Sequence, residues 1–441
     1  MDERFDVVVV GAGLAGLAAG ATAAGSGAST LVLDGHPAGG RASTDERGRY
    51  KFNRGPHALY RGGEAAAVLA RLGVSTPGAL PPAGGARGRI GDKVGILPAT
   101  LPTLVRSPLL SVRGKVALTR FLGGVKKWRP GELAGLTIGE WLDSFRLPRD
   151  ARQLVLFLVR TTTYVNNEDT VSADVATSQI QMALANNVLY LDGGWGSMVA
   201  GLAASARRNG AEIRTAAAVK SVRRPSPDGD VVVTLAGGQE ISAGAVVLAA
   251  GTPAASTALL GGRPPATWAS LGPEVEASVL DLGLRRGLEH PILFGIDPPI
   301  YLVDHAKSAK RLAPEGGGLV HVLHYLPLDD RTPASVLKAG LEEHARLAGI
   351  SPSDIEEERF LLRMTVVGAV PTPASGGLVG RPGIDSTGLP GVFVAGDWVG
   401  PRGWLADASL SSGEAAGSAA ARDAARRADG VRSLPSRQDV A

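Results

Sequence analysis

The hydrophobic pattern opens on a strand. Asp6 is followed by four valines, then by Gly11-Ala12-Gly13-Leu14-Ala15-Gly16 and an alanine-rich stretch reaching Gly25. A β-branched run, a glycine break and an apolar helical stretch predict strand, tight turn and helix. A second apolar run, Thr30-Leu31-Val32-Leu33, stops at Asp34 and completes a β-α-β unit of the dinucleotide-binding kind. Apolar runs over 245–251, 279–284, 300–303, 319–326 and 391–398 predict further strands. Helices are expected after the turn Asp192-Gly193-Gly194 and along the alanine-rich stretch from Ala408.

The glycines of the first turn have separate physical jobs. Gly11 permits the sharp exit from the strand, Gly13 lets a pyrophosphate approach the backbone, and Gly16 lets the helix pack on the sheet. The helix N-terminus then offers free N–H groups and a positive dipole end to the phosphates. Asp34 lies 18 residues beyond Gly16, close to the roughly 20 at which an acid accepts from a ribose diol and disfavours a 2′-phosphate. The motif alone leaves NAD and FAD both open.

The following segment, Asp34 to Ser43 with Gly39-Gly40-Arg41 in it, resembles the acid-x4-GGR segment of the flavoprotein superfamily of monoamine oxidases, protoporphyrinogen oxidases and phytoene desaturases. The strand ending in Gly396-Asp397 and the helix begun by Ala408-Ser409 resemble that family's closing segment, as do Asp192 to Met198, Val219 to Val222 and Ala245 to Gly251. The resemblance implies noncovalent FAD. It implies an α/β fold: a Rossmann-type FAD-binding domain from discontinuous segments (1–80, 190–270, 361–428) and an α+β substrate domain (81–189, 271–360) whose sheet is covered by helices. Residues 429–441 are expected to be a disordered tail. Carried over position by position, the implied cofactor contacts are Gly11, Gly13, Leu14, Ala15, Gly16, Asp34, Gly39, Gly40, Arg41, Gly55, Pro56, His57, Val219, Ala250, Gly396, Asp397, Leu405, Ala408 and Ser409. Arg41 is expected to pair with a phosphate as a planar fork.

Composition narrows the chemistry. The 441 residues contain no cysteine, which excludes disulfides, thiolate metal sites, a cysteine nucleophile and a flavin tethered through sulfur. Redox chemistry must therefore sit on a bound cofactor. No second glycine-rich β-α-β unit follows, so reduced flavin should pass electrons to oxygen, a quinone or another diffusible acceptor. A net charge of +4 with 5% aromatic residues argues against nucleic-acid binding. The N-terminus lacks a signal-peptide pattern and no apolar run reaches 18 residues, so a cytoplasmic protein is expected. From Lys93 to Gly131, eight basic residues and no acidic one mix with many apolar positions. The readings there are peripheral contact with an anionic membrane, steering of an acidic molecule, or ordinary helices with a basic side.

On the substrate side, strand alternation puts His321 and Tyr325 on one face and His324 on the other. His324 is the cavity candidate, and a hydrogen-bonded structural histidine is the alternative. His305 has the same two readings. Tyr164, Asn166, Asn167, Tyr301 and Trp404 complete the pocket candidates. Trp404 precedes the flavin-facing helix, where it would be half of an aromatic cage for an amine. No second aromatic is evident, and the lysine that amine oxidases place near the flavin matches only loosely to Lys307 or Lys310, for which solvent exposure is the alternative. The sequence therefore favours an FAD-dependent oxidoreductase that takes a hydride from a carbon of a small apolar or polycyclic molecule, on the phytoene-desaturase-like branch. The alternatives are a flavin amine oxidase and, in another class, a redox-neutral FAD isomerase or non-catalytic flavin-binding protein.

Overall fold

In a computed structural model, residues 3–82, 84–227 and 229–432 are described. Two seven-stranded sheets organise the chain. The first contains the opening β-α-β unit: strand Glu3–Val10 lies parallel to Thr30–Leu33 on one side and to Glu240–Leu248 on the other. Glu212–Arg214 extends one edge in parallel. Strand 240–248 shares its far side, its start pairing antiparallel with Val231–Leu235 and its end parallel with Val392–Val394. Val7, Val8, Val9, Leu31, Val32, Val246 and Val247 are fully buried, as expected of parallel strands covered on both faces.

The first helix, Leu14–Gly25, is buried on nearly every side because alanine and glycine keep it thin. A Cβ on Gly16 would lie 1.7 Å from Gly11 O. The C-terminal helix, Ala406–Arg432, packs against it equally closely: Cβ atoms on Gly413 and Gly417 would lie 2.3 Å from Ala15 O and Ala19 O.

The second sheet runs in the order Ile355–Val367, Val275–Leu284, Gly318–Tyr325, Ile300–Asp304, Leu293–Asp297, Arg87–Ile90 and Lys93–Ile96. Its strands alternate cleanly. Leu280, Leu282, Ile300, Leu302, Val320 and Val322 pack with Leu341 and Ala345 of the helix Ala334–Leu347. Val279, Tyr301, Leu319, Leu323 and Tyr325 face Tyr50, Phe52 and Tyr190 instead.

Three boundaries differ from expectation. The sheet is not supplied by 271–367 alone: the hairpin 87–96 adds two strands, and strand 87–90 pairs parallel with 293–297. The boundary at 360/361 falls inside strand 355–367, which antiparallel pairing with 275–284 keeps whole. The last helix runs to Arg432, four residues into the expected tail; residues 433–441 lie outside the described residues. The basic stretch forms strand 93–96 and helices Leu101–Arg106 and Val112–Gly123. Leu118 and Phe121 enter the core, whereas Leu101, Val105 and Val112 stay more than 70% exposed, at 72%, 73% and 79%, among exposed Arg106, Arg113 and Arg120. No helix among the described residues is long and apolar enough to cross a membrane.

Candidate functional site

The nucleotide end is built from backbone. Gly11 has φ +107°, and a Cβ there would sit 2.3 Å from Ala249 O. Gly13 caps the first helix without a side-chain hydrogen bond. A Cβ on it would meet nothing nearer than Gly39 O at 4.0 Å, so space is open beside the helix N-terminus, next to Leu14. Asp34 fixes this loop: Ala12 N–H donates to Oδ2 at 2.7 Å and His36 N–H to Oδ1 at 2.8 Å. Each oxygen keeps a lone pair for a hydroxyl. Ala217 N–H donates to Asp34 O, which brings the strand begun by Val219 alongside. Ala250 follows strand 240–248 beside Gly11.

Arg41 is engaged within the protein. Its fork is turned onto Asp397, with Nη1 and Nη2 donating at 2.8 and 2.9 Å, and it also donates to Val366 O and Gly251 O. Asp397 further accepts from Gly368 N–H at 3.0 Å. A carboxylate only 2% exposed offers the guanidinium two fixed acceptors, so Arg41 locks the 40–42 turn to the Gly396-Asp397 turn. The helix N-terminus and glycine backbone are left as the anion-facing groups.

At the other end, the helix 406–432 follows Leu405, whose φ is +54°. Ser412 Oγ accepts from Gly396 N–H, tying the two turns, and Ser409 Oγ donates to Leu405 O; Ala408 is fully buried. Trp404 is fully buried and its Nε1–H donates to Thr163 O at 3.0 Å. Packed in the helical core, it cannot present a free face as half of an amine cage. Lys307 and Lys310 are both exposed.

Asp407 joins two helix N-termini. Its Oδ1 accepts from Ala65 N–H at 2.8 Å, in the first turn of helix Glu64–Arg71, while Oδ2 is buried without a partner. Burial pushes its pKa up from 3.8 to about 6. The native state therefore binds more protons than the unfolded chain between about pH 4 and 6, and this group's contribution to stability falls as pH rises through that window. Above it the penalty is on the order of 3 kcal/mol. Asp407→Asn should gain about 1–2 kcal/mol at pH 8 after the cost of its own unpaired N–H, and nothing by pH ~4. Urea denaturation at both pH values checks this, and a variant less stable at pH 8 would show that the charged carboxylate is needed.

The substrate side is a chain of buried polar groups. Tyr164, at the C-cap of helix Arg149–Thr163, donates to Pro56 O at 2.7 Å and its ring lies 5.9 Å from Tyr325. Tyr301 OH contacts Tyr190 OH at 3.1 Å and His305 Nε2 at 2.9 Å. His305 stacks on Tyr190 at 4.0 Å and meets His321 edge-on at 4.7 Å. His321 Nδ1 lies 2.5 Å from Asp281 Oδ1, and Arg359 donates to Asp281 Oδ2 through Nε and Nη2 at 3.0 and 2.6 Å. His321 Nε2 is buried with no partner. His57 lies 3.0 Å from Gly55 O through Nδ1, and burial holds its pKa down to about 4. A carbonyl only accepts, so Nδ1 donates to Gly55 O, and the backbone of Arg41 also acts on the ring.

His324, the histidine chosen from sequence, is on the opposite face. It pairs with Ile300 and Ser278, so it shares the side that packs under helix 334–347, away from Tyr301. Asn166 donates to Tyr325 O at 2.8 Å, and Asn167 Oδ1 accepts from Thr170 N–H at 2.9 Å. Sequence reasoning missed Asp281, Arg359, Tyr190 and Asp407. Of these, only Asp281 left a local signal, a lone carboxylate in the apolar run 279–284.

Between the two ends, three side chains keep open surface. The side chain of Arg41 is 34% exposed although its partners are interior groups. His57 and Tyr164 are half-buried, yet burial shifts both strongly. The family model for flavin-containing amine oxidoreductases matches residues 14–419. The chain belongs to that family. No curated protein matches it. It is similar to solved structures of an oxidoreductase from Methanosarcina mazei (17% identity, 93% of this chain and 99% of that one, TM-score 0.73). A putative protoporphyrinogen oxidase from Exiguobacterium sp. 255-15 and cyclohexylamine oxidase from Brevibacterium oxydans IH-35A each match at 17% identity, 96% and 99% coverage and TM-score 0.69.

Proposed function

We propose that the protein is an FAD-dependent oxidoreductase that dehydrogenates an uncharged, largely apolar carbon substrate. The residues of the nucleotide end suit FAD. Open space beside Gly13 and the uncapped helix suit the pyrophosphate, and the remaining lone pairs of Asp34 suit the ribose. Bound there without a covalent link, FAD supplies a two-electron acceptor that oxygen, a quinone or another diffusible oxidant regenerates. The protein's own groups orient the substrate and exclude water.

The carrying observation is the charge state of the substrate-side wall. Tyr164, Tyr190, Tyr301 and Tyr325 are held protonated by burial, and His305 and His57 are held neutral by it. Trp404 is packed away and both candidate lysines are exposed. Such a wall favours a neutral molecule over an ammonium ion, whose desolvation it leaves uncompensated. The test is anaerobic mixing of the yellow holoprotein with panels of neutral polyene or polycyclic substrates and of primary amines. Bleaching by neutral compounds is expected. Bleaching by amines alone would replace this reading with an amine oxidase, and a colourless protein that takes up no FAD would end it.

A further inference from the structure

Helix 149–163 ends beside a cleft of about 210 Å³. Ile138, Leu156, Val159 and Val165 give it apolar walls, and Arg160 reaches it from the protein side. Arg160 is only 8% exposed. Nη2 donates to Ile296 O at 2.7 Å, Nη1 has a long 3.5 Å contact with Asn166 Oδ1, and Nε is buried with no partner. Among the described residues, no ion pair includes it. Glu168, also at the cleft, is held by Arg152 at 2.6 Å, and Asp169 is exposed at the rim.

A guanidinium taken out of water needs a compensating anion or a full set of acceptors. The carboxylates of Asp297 and Glu168 act on Arg160 electrostatically but neither is hydrogen-bonded to it, and its uncommitted N–H groups belong to a planar fork that matches a carboxylate. We propose that this cleft is a binding site for a small monocarboxylate with an apolar body, whose carboxylate pairs with Arg160 and whose body lies along the apolar walls. The carboxylates at the rim repel a second negative charge, so dianions are disfavoured. The site does not depend on the flavin assignment, because neither its groups nor its test involves turnover.

The probe is benzoate, titrated calorimetrically into the full-length protein, with neutral benzamide and dianionic phthalate as controls. Benzoate should bind, and both controls should bind at least about 10-fold more weakly. Arg160→Gln should weaken benzoate by on the order of 10–100-fold. Asn166→Asp supplies an internal carboxylate at the 3.5 Å contact; it should abolish benzoate binding and raise Tm, and it decides the matter if Arg160→Gln fails to fold. No benzoate binding to the wild type, equal binding of benzamide, or undiminished binding in either variant would overturn the proposal.

Discussion

Gly16→Ala is expected to prevent the nucleotide-binding half from folding. The new Cβ would lie 1.7 Å from Gly11 O, 2.8 Å from Gly11 C and 3.3 Å from Ala249 Cβ. Two of these are backbone atoms of the strand-to-helix turn, so no rotamer change relieves the overlap, and the helix must lift off the sheet. The cost should be about 3 kcal/mol or more, at the upper end for overpacking. Gly13→Ala is the contrast. Its Cβ has 4.0 Å of clearance, so the variant should melt within about 1 kcal/mol of the wild type while losing FAD, because the methyl occupies the space left for the pyrophosphate. Thermal melts with flavin retention measure both. A Gly16→Ala protein as stable as the wild type would mean that the turn is looser than described.

Asp281→Ala should be nearly as damaging, through charge rather than volume. Asp281 is fully buried and is the common partner of His321 Nδ1 and of two nitrogens of Arg359, itself 6% exposed. Without it, Arg359 keeps Asp45, Oδ2 at 2.6 Å, and the carbonyl of Asn53, but loses its interior counter-charge. Removing one member of a buried ion pair costs about 3–5 kcal/mol. Asp281→Asn preserves shape without charge, so chemical denaturation of both variants separates the lost charge from the cavity. A loss under about 1 kcal/mol for the alanine variant would show that solvent reaches this cluster.

The contrast between these sites explains what was legible in the sequence. Gly11, Gly13, Gly16 and Asp34 fall in one β-α-β unit, where spacing alone fixes geometry. Alternation also correctly separated His321 from His324. It could not say which face meets helix 334–347, and so His324 was chosen although His321 sits in the buried chain. Arg41 and Asp397 are 356 positions apart, and no local pattern reveals that one neutralises the other. Trp404 looked like a cavity wall because of its place before the last helix, whereas its indole N–H is spent on Thr163 O. Nothing in the sequence marks Arg160, since which of its N–H groups finds an acceptor is a property of the packed state.

The close seating of Gly413 and Gly417 on Ala15 and Ala19 has a meaning for biosynthesis. Helix 14–25 buries one side only against helix 406–432, which is made much later, and strand 240–248 likewise waits for 392–394. Small residues cannot cover that helix by themselves, so the nascent nucleotide-binding half stays incomplete until helix 406–432 has been made. The second sheet, whose strands all lie between residues 87 and 367, is complete earlier. Vectorial synthesis thus assembles the substrate-side scaffold before the cofactor-side one, which closes when helix 406–432 docks on helix 14–25.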